Sequence, residues 1–204
     1  MRWYLGPFML AVWLAGCTGR APPAPPAQSE GAMCLAHLDE AGVRYSVEAV
    51  PASVDACSVA TPVRVTAAGI AWNQAGVVSC GFALMLDAFA REDVTPSALA
   101  HFGRDVRLIR HFGTYACRRE NGGEGRWSQH AAGRAIDIAG FDLSDGATIL
   151  VERDWRGAGA KSGFLHDIAR RACRRFSVVL TPDSDADHYN HIHIDTGPWK
   201  LCEK

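Results

Sequence analysis

Two short segments of the chain hold residue types that together could bind a metal ion. The first is His130-Ala-Ala-Gly-Arg-Ala-Ile-Asp137, and the second is His188-Tyr-Asn-His191-Ile-His193. Imidazole nitrogens and a carboxylate oxygen are the ligands that a catalytic zinc ion uses when one coordination position stays open for water. The two segments therefore predict one zinc ion per chain and a hydrolytic reaction beside it.

Local patterns indicate how a sheet could bring the two segments together. Residues i and i+2 of a strand point to the same face, so His191 and His193 can face one site. The alternating pattern around Asp137 predicts a second strand, and His130 would lie on the loop before it. We expect His130, Asp137 and His193 around one metal ion, with His191 and His188 one shell further out.

The rest of the sequence predicts an α+β fold, in which a small antiparallel sheet is flanked by helices and stabilised by disulfides. Apolar residues at helical spacing predict helices over Cys80–Arg91 and Lys161–Phe176, with Ser162 capping the second. Residues 34–60 are expected to form a loop-rich cap with a short strand at Tyr45–Val50. The other predicted strands are Val63–Ala67, Val106–Cys117 (one strand or two), Gly133–Phe141, Thr148–Val151, Val178–Leu180 and His191–Asp195.

The cysteines indicate an oxidising compartment. The chain has seven, and six remain when Cys17 is set aside as a lipid-attachment candidate. An even number in an exported chain favours three disulfides, although six cysteines allow fifteen pairings. Proximity along the chain favours Cys34–Cys57, and we expect Cys117–Cys173 and Cys80–Cys202 to complete the set. The sequence contains no Cys-x-x-Cys pair, which disfavours a metal site made of cysteines.

The N-terminus is typical of an exported protein that keeps a lipid anchor. Residues 1–16 predict a signal peptide, and Leu14-Ala15-Gly16-Cys17 resembles the lipobox of bacterial lipoproteins. That resemblance implies a lipidated Cys17 as the new N-terminus, and several acyl chains anchor a protein stably. Residues 17–33 are rich in proline and predict an extended tether. In enteric lipoproteins an Asp at the next position often marks retention in the inner membrane, so the resemblance implies that a chain with Thr18 lies on the periplasmic side of the outer membrane. The alternative is an ordinary signal peptide that a cysteine follows by chance.

Charge and length limit the classes of partner. The formal net charge is −1, and no long basic stripe is present, so we expect no nucleic-acid partner. The densest basic run, Arg170–Arg175, is expected to be a solvated helix face. Residues 34–204 suit one domain, which we expect to be a monomer.

The first segment and its surroundings also match a known pattern. The run Ser128-Gln-His-Ala-Ala-Gly-Arg-Ala-Ile-Asp137 resembles the Ser-x-His-x-x-Gly-x-Ala-x-Asp pattern of the LAS zinc peptidases, which are named after lysostaphin, D-alanyl-D-alanine peptidases and sonic hedgehog. His191-Ile-His193 resembles the His-x-His pattern of the same group. The zinc ligands that this resemblance implies are His130, Asp137 and His193. His191 would lie next to the metal, while Ser128 would shape the loop.

The chain resembles the extensin-like C-terminal domain family still more closely. This resemblance is carried by Gly113-Thr-Tyr-Ala-Cys-Arg118, Ile138-Ala-Gly-Phe141 and His188-Tyr-Asn-His-Ile-His-Ile-Asp195, and it covers most of 34–204. The late histidine spacing is also similar to that of penicillin-insensitive murein endopeptidases. Together these resemblances imply hydrolysis of peptide bonds in peptidoglycan, by an endopeptidase or a carboxypeptidase.

One departure from the LAS pattern concerns the general base. Carboxypeptidase members carry a Glu-x-x-His element whose Glu takes the proton, and the equivalent place here reads His188-x-x-His191. Either histidine could accept the proton instead, and Asp185 and Asp187 are further candidates. Arg118 matches an arginine that faces the developing oxyanion in the carboxypeptidase branch, with Arg119 beside it as the alternative.

The sequence thus predicts an envelope lipoprotein with a zinc-dependent hydrolase domain that acts on peptidoglycan peptides. A second interpretation is a zinc-containing module that binds wall peptides or an envelope partner without turnover, and the missing Glu keeps it open. A third, a disulfide-rich structural protein, explains none of the histidine placement.

Overall fold

The computed structural model describes residues 29–50, 54–120 and 125–202. The predicted signal peptide over 1–16 and the predicted lipid attachment at Cys17 lie outside the described residues, as does most of the predicted tether. Among the residues that the structure describes, no helix is both long enough and apolar enough to cross a membrane.

Helices and strands are interspersed along the described chain. The helices are α1 (Glu30–Ala41), α2 (Cys80–Phe89), α3 (Thr95–Phe102), α4 (Val151–Asp154) and α5 (Ala160–Arg175). The strands are β1 (Arg44–Val47), β2 (Pro62–Ala68), β3 (Ile70–Ser79), β4 (Val106–His111), β5 (Ala135–Leu143), β6 (Thr148–Leu150), β7 (Val178–Leu180), β8 (Ile192–Asp195) and β9 (Leu201–Cys202). A π-helical turn at Ala90–Val94 joins α2 to α3.

These strands form one sheet in the order β1-β2-β3-β4-β5-β8-β7-β9, and β6 pairs with β5. Most neighbours are antiparallel, but β3–β4 and β7–β9 are parallel. The predicted α+β class with a sheet and flanking helices is confirmed, although the sheet is larger and more mixed than expected. Strand β3 was not predicted because its burial does not alternate: three exposed residues interrupt its middle and four buried residues follow.

Helix α1 corrects the prediction of a loop-rich cap over 34–60. It begins at Glu30, inside the predicted tether, where the Ser29 side chain accepts a hydrogen bond from the backbone N–H of Ala32. Only Leu38 is buried along it, so its amphipathic signal is weak. The predicted N-cap of α5 is also wrong, because α5 begins at Ala160 and Gly159 is the N-cap. Ser162 lies inside the helix, where its hydroxyl donates to the carbonyl oxygen of Trp155 at 2.9 Å.

Three disulfides are confirmed, but the predicted pairing is wrong. The structure contains Cys34–Cys80, Cys57–Cys117 and Cys173–Cys202. Packing between elements decides the partners: α1 packs on α2, which begins at Cys80, and the end of α5 lies beside the β7–β9 edge of the sheet. Proximity along the chain could not reveal these contacts, since each depends on the tertiary fold.

The two faces of β5 and β8 have different roles. One face packs into the core with α5, and its four isoleucines are each at most 1% exposed: Ile136, Ile138, Ile192 and Ile194. Successive side chains of a strand alternate between faces, so this packing sends Asp137 and His193 to the opposite face. A slip of one residue would reverse both faces, and burial of the isoleucines therefore fixes the register that positions the site.

The basic run at 170–175 is largely neutralised within the fold. Its arginines form ion pairs with acidic side chains of α5 and of the turn between α2 and α3: Asp167, Glu92 and Asp93. The run is thus a paired surface of α5, which accounts for its charge without a binding partner.

Candidate metal centre

Strands β5 and β8 place two of the predicted ligands side by side. The strands are antiparallel neighbours, and Asp137 and His193 are paired across them. Paired residues lie on one face of a sheet with their Cβ atoms about 4.5–5.5 Å apart. Here the Asp137 Oδ1 atom lies 2.8 Å from His193 Nδ1.

His130 reaches the same point from the 3-10 turn before β5. The turn spans Gln129–Ala132, and the Ser128 hydroxyl that begins it accepts a hydrogen bond from the His130 backbone N–H at 3.3 Å. The His130 ring is buried, and its Nδ1–H donates to the carbonyl oxygen of Thr114. This bond turns Nε2 toward the cluster, 3.2 Å from Asp137 Oδ1 and 3.3 Å from His193 Nδ1.

The three facing atoms have the spacing that a tetrahedral zinc ion requires. Their mutual separations are 3.2, 3.3 and 2.8 Å. Zinc bonds of about 2.0–2.1 Å at tetrahedral angles separate two ligand atoms by roughly 3.3 Å. Two imidazoles and one carboxylate are also the donor set of catalytic zinc sites that keep one position open. The residues present therefore fit a zinc ion.

A carboxylate behind His193 orients its ring. Asp195 Oδ2 lies 3.0 Å from His193 Nε2, and Asp195 Oδ1 accepts the backbone N–H of Gly197 at 2.7 Å. A metal-ligating histidine normally donates its other ring N–H to such a group, which fixes the tautomer and raises the basicity of the ligand nitrogen. Asp195 thus holds His193 with Nδ1 facing the candidate metal position.

The charges of the cluster suit a cation. Burial is the largest single effect and opposes charge on both His193 and Asp137, but the hydrogen bonds and opposite charges around each group together outweigh it. With the added contact to Asp195, the pKa of His193 rises to about 9. The pKa of the Asp137 carboxyl is held well below its usual range by hydrogen bonds from His130 and His193. The carboxylate is consequently ionised at neutral pH, and a bound metal would replace the proton on His193.

The remaining two histidines lie next to the cluster. His191 Nε2 is 3.5 Å from Asp137 Oδ1, and its Nδ1–H donates to the Asn190 side-chain oxygen at 2.9 Å. Burial lowers the pKa of His191 to about 4. The His188 ring centroid lies 5.0 Å from that of His191, and its Nδ1–H donates to Asp185 Oδ1 at 2.7 Å.

The four histidines of the cluster and Asp137 line one open cavity of about 410 Å³. Its lining includes every side chain predicted to bind the metal or to act beside it: Arg118, Ser128, His130, Asp137, His188, His191 and His193. Arg119 is engaged elsewhere, since its guanidinium lies 4.6 Å from the Trp127 ring centroid and donates to the Gly125 carbonyl oxygen at 2.6 Å. Of the two neighbouring arginines, Arg118 is therefore the one on the cavity wall.

Three contributors to the site carry no signal in the sequence. Thr114 acts through its backbone carbonyl, which any residue type would provide. Glu120 and Arg126 line the cavity from an arm made of residues 118–120 and 125–128, and a bridge between Arg119 and Trp127 joins these two segments. An alignment of relatives would be needed to find them.

A family model described as "Extensin-like protein C-terminus" matches residues 32–203. The chain belongs to the extensin-like C-terminal family. The match confirms the resemblance seen in the sequence, and it begins two residues before the predicted domain start at 34. Searches of curated proteins and of solved structures each returned no match.

In this extensin-like domain, Gly133 is required by the turn that carries His130. Its φ is 62°, and a Cβ added there would lie 2.8 Å from Val59 Cγ1 and 2.9 Å from the Ser79 backbone nitrogen. We expect Gly133→Ala to lower the free energy of unfolding by about 2–4 kcal/mol, from left-handed strain of about 1–2 kcal/mol plus the clash. Urea unfolding followed by circular dichroism measures the loss.

Gly103→Ala is the matched control for this prediction. Gly103 has a φ of 63°, and nothing lies within 4 Å of an added Cβ. This variant should therefore lose only the strain of about 1–2 kcal/mol. Equal losses at Gly133 and Gly103 would contradict the close approach inferred at the turn.

Proposed function

We propose that this domain is a zinc-dependent hydrolase of peptide bonds in peptidoglycan, related to the LAS zinc peptidases. The observation that carries the proposal is the triangle formed by His130 Nε2, Asp137 Oδ1 and His193 Nδ1 in an open cavity. The Ser-x-His-x-x-Gly-x-Ala-x-Asp and His-x-His patterns support the LAS relationship, because both supply residues of this triangle. An endopeptidase would need room in the cavity for peptide on both sides of the cleaved bond. A carboxypeptidase would need room for only a C-terminal residue on one side.

His130, Asp137 and His193 would hold the zinc ion. When bound, zinc supplies a Lewis acid that polarises a carbonyl group and makes water nucleophilic near neutral pH. The protein fixes the two histidine ligands by hydrogen bonds from behind: the Thr114 carbonyl holds His130, and Asp195 holds His193. Such support keeps the site in one geometry before any substrate binds.

His188 is the proposed general base. Asp185 accepts its Nδ1–H at 2.7 Å, so Nε2 is left as a proton acceptor on the cavity wall. This pairing of a histidine with an orienting carboxylate replaces the Glu of the carboxypeptidase pattern. His191 lies closer to Asp137, and its Nδ1–H is held by Asn190; we assign it to positioning the ligand and the attacking water.

Arg118 is proposed to stabilise the oxyanion of the tetrahedral intermediate. It lines the cavity with the histidines, and within the described residues no acidic side chain forms an ion pair with it. A guanidinium on the cavity wall can attract the charge that develops on the carbonyl oxygen.

Digestion of purified peptidoglycan tests the proposal. The disulfide-bonded, zinc-loaded protein is incubated with the polymer, and soluble products are separated and identified by mass spectrometry. New stem or cross-link fragments, lost on chelation and restored by zinc, would support the hydrolase and name the bond. Absence of products with one zinc bound per chain would instead favour the second candidate, a zinc-containing wall-binding module, which the missing Glu keeps open.

The His188 assignment predicts a specific pattern among variants. His188→Gln should lower kcat by about 100- to 10,000-fold with little change in KM, because it removes proton transfer and leaves the metal ligands in place. Asp185→Asn should lower kcat less, since only the orientation of the ring is lost. Asp187→Asn is the control: Asp187 lines the same cavity without bonding to the His188 ring. If His191→Gln alone gave the large loss in kcat, His191 would be the base.

The proposed location is the periplasmic side of the outer membrane, and it is inferred from residues outside the described range. Cys17 would carry the lipid, and the Pro-rich segment after it would let the domain reach the wall. Cells producing the native chain should incorporate labelled palmitate into the protein and retain it in the membrane fraction. The Cys17→Ser variant should lose the label, whereas incorporation without Cys17 would contradict the lipobox assignment.

A further inference from the structure

We propose that the cavity beside the candidate metal centre contains a saccharide subsite, in which one pyranose ring lies against Trp199 and an apolar shelf. The shelf consists of Val178, Leu180 and Leu201. The inference rests on the proposed function in one respect, because peptidoglycan would supply an N-acetylhexosamine as the sugar. The affinity for a pyranose ring depends only on Trp199 and the shelf, and not on hydrolysis.

The register of the sheet places the shelf next to the metal centre. Leu180 pairs with His193 across β7 and β8, and Val178 pairs with Asp195. Val178 also pairs with Leu201 across β7 and β9. Paired residues share a face, so the apolar surface runs from the candidate ligands across β7 to the edge of the sheet.

Trp199 extends this surface at its outer end. The residue lines the cavity yet is 58% exposed, and Leu201 beside it is 45% exposed. Indole rings normally bury most of their surface, and large exposed apolar groups grouped in a cavity mark ligand-binding sites. Arg126 lies 5.2 Å from the Trp199 ring centroid and pairs with Glu120 at 3.4 Å.

The rim of the cavity selects the class of ligand. Side chains of both charges line it: Arg118, Arg126, Glu120, Asp185 and Asp187. Such a mixed field does not favour a polyanion or a polycation. It suits a neutral molecule with many hydroxyl groups, because hydroxyls donate to carboxylates and accept from guanidinium groups.

A pyranose ring combines this polar edge with an apolar face. Its C–H groups can pack on the face of an indole, whose π-system is electron-rich. An apolar peptide side chain would be better served by an enclosed pocket. The shelf instead borders an open cavity at the edge of the sheet, with exposure rising from 8% at Val178 to 45% at Leu201, and charged groups surround it.

Titration with tetra-N-acetylchitotetraose tests the subsite. Binding is followed by isothermal titration calorimetry and by saturation-transfer NMR on the native protein, both zinc-loaded and metal-free. We expect saturable binding in both forms, with transfer strongest to the sugar C–H groups. Trp199→Ala should weaken binding by about tenfold or more, because truncation of a tryptophan that contacts the ligand often has an effect of this size. Trp199→Phe should recover part of it.

Trp127→Ala is the matched control. Trp127 also lies under an arginine of the same arm, with Arg119 at 4.6 Å, but it is not part of the cavity lining. Its replacement should leave saccharide binding unchanged. Absence of saturable binding by the native protein, or equal binding by Trp199→Ala, would overturn the inference. Saccharide binding without peptide hydrolysis would support the subsite and refute the proposed hydrolase, so the two failures are distinguishable.

Discussion

The His193→Ala variant is expected to lose its zinc ion and, with it, all detectable hydrolysis of peptidoglycan peptides. His193 supplies one of three ligand atoms and connects the cluster to Asp195. Changes in outer-shell partners alone cost about 10- to 100-fold in metal affinity, so loss of a ligand should cost at least about 100-fold. Competition with a chromogenic chelator measures the affinity.

Two further variants make this measurement specific. Asp195→Asn should lower zinc affinity by about 10- to 100-fold, because it weakens the support behind His193. His37→Ala should change nothing, since His37 is exposed on α1. Full zinc binding by His193→Ala would contradict the proposed ligand set.

The zinc affinity measured by chelator competition should depend on pH. In the metal-free protein the pKa of His193 is raised to about 9, so the ring is protonated at neutral pH and must release its proton when zinc binds. Apparent zinc affinity should therefore rise by up to about tenfold per unit between about pH 6 and about pH 8.

Removal of the Cys57–Cys117 disulfide is expected to weaken both the fold and the metal centre. The bond joins residues 60 apart, and loss of such a cross-link costs about 4 kcal/mol in the chain-entropy model. It also anchors the segment whose Thr114 carbonyl accepts a hydrogen bond from His130. We expect Cys57→Ser/Cys117→Ser to lose zinc affinity by about 10- to 100-fold while still folded.

The Cys173–Cys202 disulfide provides the control for this effect. It joins residues 29 apart at the edge of the sheet, away from His130, and its loss should cost about 3–4 kcal/mol. Cys173→Ser/Cys202→Ser should therefore be destabilised to a similar degree but retain native zinc affinity at low temperature. Equal loss of zinc affinity in both double variants would indicate general destabilisation instead of an anchored ligand.

Residue types and short local patterns were sufficient to predict that His130, Asp137 and His193 lie together. Alternation within each strand decides which side chains share a face, whereas the pairing of Asp137 with His193 was inferred from their metal-ligand chemistry and from the resemblance to the LAS pattern. His130 follows from the same local pattern, because its turn leads directly into β5.

Features that depend on distant contacts could not be predicted in the same way. Disulfide partners are decided by how α1, α2 and the sheet pack, and sequence distance is a poor guide to that packing. Helix α1 buries little and strand β3 lacks alternation, so neither has a strong periodic signal. The Thr114 contact is made by a backbone carbonyl, which leaves no trace in residue type.

The most direct test of the metal centre is a crystal structure of the zinc-loaded protein with anomalous data collected on both sides of the zinc absorption edge. We predict one zinc peak, about 2.0–2.1 Å from His130 Nε2 and His193 Nδ1 and at a similar distance from Asp137 Oδ1. A stoichiometric zinc ion bound to other residues, with these three side chains unliganded, would contradict the account.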